Sequence, residues 1–97
     1  MGSIVEQTGV TSETQIRRIL EKEGYFNIFV WSDTAGTHYA EHTHPHHEVR
    51  WIVSGSLQII ENGVTLDLLP GDRMESEANV PHSAYVPEDV RYICGSK

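Results

Sequence analysis

Asn62-Gly63, set between two runs of β-forming residues, constrains this chain more than any other feature. A two-residue hairpin turn of type I′ needs positive φ at both central positions, which Asn and Gly tolerate. The pair therefore joins Leu57–Glu61 to Val64–Leu69 as neighbouring antiparallel strands. The same grammar runs from Tyr25 onward. Phe26–Trp31, Val49–Val53, Arg73–Glu75, His82–Val86 and Val90–Cys94 read as strands, and most are rich in aromatic or β-branched residues. Asp33–Gly36, Ser54-Gly55, Pro70-Gly71 and Pro87-Glu88-Asp89 punctuate them. Many short strands at intervals of about ten residues predict an all-β sandwich or closed barrel.

One helix precedes the strands. Ser12 is a good N-cap, and Gln15 three residues on can complete a capping box. Ile16, Ile19 and Leu20 form one apolar stripe at helical spacing, and Gly24 closes the helix. Residues 1–10 carry no strong pattern and are expected to be a loosely held arm. The chain, long enough for one domain only, thus divides in two. Residues 1–24 form an arm and a short helix packed on the barrel, and residues 25–97 form the barrel itself.

Charge narrows the partners. Fourteen Asp and Glu stand against 7 Lys and Arg, a net charge of −7. Nucleic acid demands clustered cations to replace condensed counterions, and none are clustered here. The same balance argues against an anionic membrane surface, and no apolar run approaches the roughly 20 residues that cross a bilayer. Cys94 is the single cysteine, so no internal disulfide forms; it reads as a small hydrophobe in an apolar run. The start Met1-Gly2-Ser3-Ile4 lacks the basic and apolar regions of a secretory signal. A soluble, cytoplasmic protein is expected.

Five of the six histidines fall within Thr37–Glu48: His38, His42, His44, His46 and His47. In a strand, residues two apart share a face, so His42 and His44 converge on one point. Imidazole nitrogens at that spacing suit a first-row transition metal. Glu48 has the same parity and adds a carboxylate, although Pro45 can break the strand between them. The whole constellation is Gly36, five residues, His42-Thr43-His44, three residues, Glu48, six residues, Gly55. It resembles the first motif of the cupin superfamily, G-x5-H-x-H-x3-E-x6-G, at every fixed position. A second cupin motif, roughly G-x5-P-x-G-x2-H-x3-N, is met in part: Gly71 and His82 match, while Glu77, Asn79 and Val86 replace its proline, glycine and asparagine. Asn79 tolerates the left-handed backbone that the glycine supplies.

The resemblance covers about residues 25–94 and implies a single-domain cupin jelly-roll β-barrel with a metal on His42, His44, Glu48 and His82. Such N and O ligands suit Fe(II), Mn(II), Ni(II), Co(II) or Zn(II) alike. The competing expectation is a barrel that keeps these residues and binds its ligand without metal. His46 has inward parity and His47 outward; both are expected at the barrel mouth, unless a slip of register at Pro45 makes either a substitute ligand, and His38 is expected on the surface.

If Glu48 points inward, so do Arg50 and Ile52, while Val49, Trp51 and Val53 point out. A buried guanidinium needs an anion. Arg50 therefore either anchors a carboxylate, phosphate or enolate oxygen of a substrate, or pairs with an internal acid such as Glu75. The outward apolar stripe must be covered, by the helix or by a second subunit, and a homodimer is expected. Two functions fit: a metal-dependent dioxygenase or Lewis-acid isomerase or lyase acting on a small molecule, and a non-catalytic small-molecule-binding or sensing module.

Overall fold

Runs of β-branched and aromatic residues from Tyr25 onward form antiparallel strands, as their composition demands. The computed structural model describes residues 3–97. In chain order these form β1 (Ile4–Gln7), α1 (Glu13–Lys22), β2 (Phe26–Asp33), β3 (His38–His42), β4 (Glu48–Glu61), β5 (Val64–Leu68), β6 (Asp72–Ser76) and β7 (His82–Ser96). Two long strands carry the architecture. β4 and β7 pair antiparallel from Glu48 opposite Ser96 to Glu61 opposite His82. The first half of β4 takes β6 on its other edge, and the second half takes β5. β7 takes β3 near its start and β2 near its end. The chain is an all-β jelly roll with one short helix. Its hydrogen-bonded path, β1-β6-β4-β7-β2 with β3 and β5 branching from β7 and β4, does not close into a ring.

Ser54-Gly55 and Pro87–Asp89 do not end strands, contrary to the sequence expectation. They are bends inside β4 and β7, where pairing continues through Ser54 opposite Arg91 and Ser56 opposite Glu88 with shifts of register. Gly55 sits at φ +76°, and a Cβ there would lie 1.9 Å from the Asp89 carbonyl oxygen. Only glycine lets the two backbones approach so closely. The Asn62-Gly63 hairpin forms as expected, with φ of 52° and 75°.

Two apolar clusters stabilise the fold. One lies inside the roll and includes Ile52, Leu57, Ile59, Met74, Val86 and Tyr92. The other lies outside it, where Val49, Trp51 and Ile93 meet Ile16 and Leu20 of α1. The parity read from Glu48 is therefore correct for Val49, Trp51 and Ile52. The outward stripe is covered by α1, which is capped at Ser12, whose Oγ accepts from the Gln15 amide.

The arm is not loosely held. Residues 1 and 2 of it lie outside the described residues, but Ile4–Gln7 pairs with β6 as β1. The Ser3 amide donates to the Glu61 carboxylate (2.8 Å), and the Trp51 indole donates to the Val10 carbonyl (2.8 Å). An edge of β6 would otherwise leave its backbone groups to solvent, and the arm takes that place. Among the described residues no helix is long and apolar enough to cross a membrane.

Candidate metal centre

The site is built where β3 and β7 meet. Their register sets His42 directly opposite His82. β3 ends at His42, so His44 lies in the following coil rather than on a strand as expected. Its position comes from elsewhere: the Asn79 amide donates to the His44 carbonyl oxygen (2.7 Å). Asn79 adopts φ +64°, as its replacement of a motif glycine predicts. The turn leading into His82 thereby holds the loop carrying His44.

The three imidazoles converge. Ring centroids are 4.8 Å apart for His42 and His44, 4.5 Å for His42 and His82, and 5.1 Å for His44 and His82. One ligand atom from each falls within 4.8 Å of the others. His42 Nδ1 is 2.7 Å from the Ala40 carbonyl oxygen, and His82 Nδ1 is 2.9 Å from that of Val80. A carbonyl only accepts, so both Nδ1 atoms carry the proton and both Nε2 atoms keep a lone pair. Such a backbone partner fixes the tautomer and orientation of metal-binding histidines.

Glu48 stands beside this triad rather than in it. Its Oε1 lies 3.5 Å from His44 Nε2 and 3.6 Å from Arg50 Nη2. Arg50 points inward as parity predicts, and its Nη2 donates to His82 Nε2 (3.2 Å). The alternative partner Glu75 is engaged elsewhere, by Tyr25, His47 and Arg73. His46 does not face inward: Pro45 interrupts the strand, and the exposed His46 ring packs edge-on against Phe26. His47 turns to Glu75. His38 is exposed, as expected.

Burial, followed by the nearby Arg50 guanidinium and His42, holds the His44 imidazole below the usual histidine range. Burial also lowers His82, against the pull of its bond to Val80, and Arg50, His42 and His44 add to the fall. Neutral imidazole is the form that binds metal. Three imidazoles with a carboxylate alongside fit one divalent first-row ion.

A cavity of about 230 Å³ opens from the triad, walled by Phe29, Trp31, Leu57, Ile59 and Tyr92. Tyr39 and Cys94 also face it. These residues escaped the sequence reading, although the register gave the clue: Cys94 lies opposite Arg50, and Tyr92 opposite Ile52. Burial pushes the Cys94 thiol up to about 12, and it raises Tyr39 and Tyr92 above the usual phenol range. All three are protonated at neutral pH.

Residues 29–95 match the family model of the cupin domain. This chain is a cupin. Curated proteins offer no sequence match. Among solved structures, this cupin is similar to a conserved protein of unknown function from Streptococcus pyogenes, at 25% identity and TM-score 0.67. The alignment covers 71% of this chain and 60% of that one, so the cupin spans less than two thirds of its length. A DUF861 family protein from Thermotoga maritima matches over 98% of this chain and 99% of its own, at 14% identity and TM-score 0.71. The DMSP lyase DddQ from Ruegeria pomeroyi matches 72% of this chain and 36% of its own, at 24% identity and TM-score 0.67. At such identities the last two show the shared fold alone.

Proposed function

We propose that this cupin binds one divalent transition-metal ion on His42, His44 and His82, with Glu48 as the fourth ligand or its immediate neighbour. The observation that carries this reading is the pair of Nε2 lone pairs on His42 and His82, each fixed by an Nδ1–H bonded to a carbonyl, facing a third imidazole. A bound metal would supply Lewis acidity or a site for oxygen, which serves isomerase or lyase chemistry in one case and a dioxygenase in the other. The substrate is a small molecule with an apolar body and an anionic group. Phe29, Trp31 and Tyr92 would hold the body, and Arg50 would hold the anion.

Standing beside the metal rather than on it, Glu48 would be the group placed to move a proton. Tyr39, Tyr92 and Cys94 are held in their acid forms by burial, which leaves the carboxylate as the base beside the triad. The same scarcity of acid–base groups favours a second reading, a binding or sensing module that holds its ligand unchanged. Oxygen uptake and product analysis with metal-loaded protein, against small diketones, catechols and carboxylates, separate the two. Turnover by wild type and not by Glu48→Gln supports the enzyme; tight binding without turnover supports the sensor.

Self-association is the companion proposal. Because α1 already covers Val49 and Trp51, the surface for a homodimer moves to edge strand β2, where Phe26, Phe29 and Trp31 are exposed. Light scattering that gives a monomer at high concentration would remove it.

A further inference from the structure

Arg50 is 8% exposed and lies inside the roll against the histidine triad. Its Nη2 donates to His82 Nε2, and that nitrogen is the only lone pair of a ring whose Nδ1–H is bonded to Val80. One lone pair serves one partner. A metal on His82 Nε2 and the Arg50 hydrogen bond therefore exclude each other. Arg50 Nη1 is also buried and has no hydrogen-bond partner among the described residues. Glu48, at 3.6 Å, is too distant for a good hydrogen bond to Nη2. Losing His82 would thus leave a buried guanidinium short of acceptors and beside a divalent cation. An oxyanion in the cavity answers both costs at once.

We propose that Arg50 makes the metal and a small carboxylate bind interdependently. The guanidinium caps His82 until a metal takes Nε2; it then turns Nη1 and Nη2 to a carboxylate seated in the cavity. This rests on the metal reading given above. The aromatic and aliphatic walls, Phe29, Trp31, Leu57, Ile59 and Tyr92, select a carboxylate with a flat or branched apolar body of about benzoate size. The Arg50 guanidinium, hydrogen-bonded to His82 Nε2, repels a metal cation that takes that nitrogen. Neutralising that charge is what the carboxylate contributes.

The test is calorimetric titration of the tag-free protein with zinc, with and without saturating benzoate, in a buffer free of other carboxylates. Wild type should bind zinc about ten-fold more tightly with benzoate present, and by reciprocity should bind benzoate about ten-fold more tightly when zinc-loaded. Arg50→Met should bind zinc several-fold more tightly than wild type without benzoate and should show no benzoate effect. Arg50→Gln, which keeps a donor but no charge, carries the same expectation and stands in if Arg50→Met fails to fold. Zinc affinity in wild type that is indifferent to benzoate overturns the inference, as does an equal benzoate effect in wild type and variants. Zinc binding without coupling refutes this inference alone; no zinc binding by wild type or variants refutes the metal reading and this inference with it.

Discussion

Replacing Gly55 by Ala should cost far more than replacing Gly63, although the two share nearly the same backbone angle. Gly55 has φ +76° and Gly63 φ +75°, so both variants pay the left-handed penalty of about 1–2 kcal/mol. Around Gly63 a new Cβ meets nothing within 4 Å. At Gly55 it would stand 1.9 Å from the Asp89 carbonyl oxygen, and real Cβ contacts essentially never fall under 3.0 Å. The backbones of β4 and β7 must then part by more than 1 Å at the bend that the two strands share. Overpacking of this kind adds about 1–3 kcal/mol, here at the upper end because the obstacle is backbone. The sum, about 3–5 kcal/mol, is a large part of what a domain of this size has. It lowers Tm by about 15–30 °C for Gly55→Ala, against about 5–10 °C for Gly63→Ala. Thermal unfolding followed by circular dichroism reads both. Equal losses in the two variants would refute the close approach of Gly55 to Asp89 as the reason for glycine there.

Further outcomes follow from the site and its surroundings. His42→Ala and His82→Ala should each weaken zinc affinity by at least about 100-fold while leaving the fold cooperative, as measured by competition with a chelating dye. Because folding depresses the His44 and His82 imidazoles below 6.5, the unfolded chain binds those protons first as pH falls. Stability is therefore full above about pH 6.5 and declines toward the lower folded values, so urea midpoints should fall between about pH 7.5 and about pH 5.5; a rise would contradict the assignment. Cys94, with its thiol pushed up to about 12, should react with iodoacetamide more than ~100-fold slower than free cysteine near neutral pH. Glu23→Gln should destabilise by about 1–2 kcal/mol, because it weakens the two-pronged pairing of a buried Arg73, at 2.7 and 3.0 Å.

Much of this was legible in the sequence, and the parts that were not have physical reasons. The Asn62-Gly63 turn and the parity of Val49, Arg50, Trp51 and Ile52 depend on local rules, and both hold in the fold. The resemblance to the cupin motifs also implied the convergence of His42, His44 and His82, which no local rule could supply. β1 escaped notice because it is four exposed residues long, and the β6 edge that it covers is not visible in the sequence. Gly55 and Pro87 read as strand ends because a sequence shows the breaker and not the partner strand bending with it. The partner of Arg50 was beyond reach for the same reason: Glu75 lies opposite outward-facing Val49, on the face of Tyr25 and Arg73, which leaves inward-facing Arg50 to His82. Nothing in the spacing tells those two arginines apart. Only the pairing of β4 with β6 and β7 does so.

Elemental analysis decides whether the three imidazoles make one metal site. Tag-free protein, stripped with chelator, reloaded with zinc, manganese or iron(II) and desalted, should retain one metal ion per chain. His42→Ala and His82→Ala, treated alike, should retain almost none. A wild-type chain that holds no metal after reloading, or variants that hold as much as wild type, would rule out a metal site on these histidines.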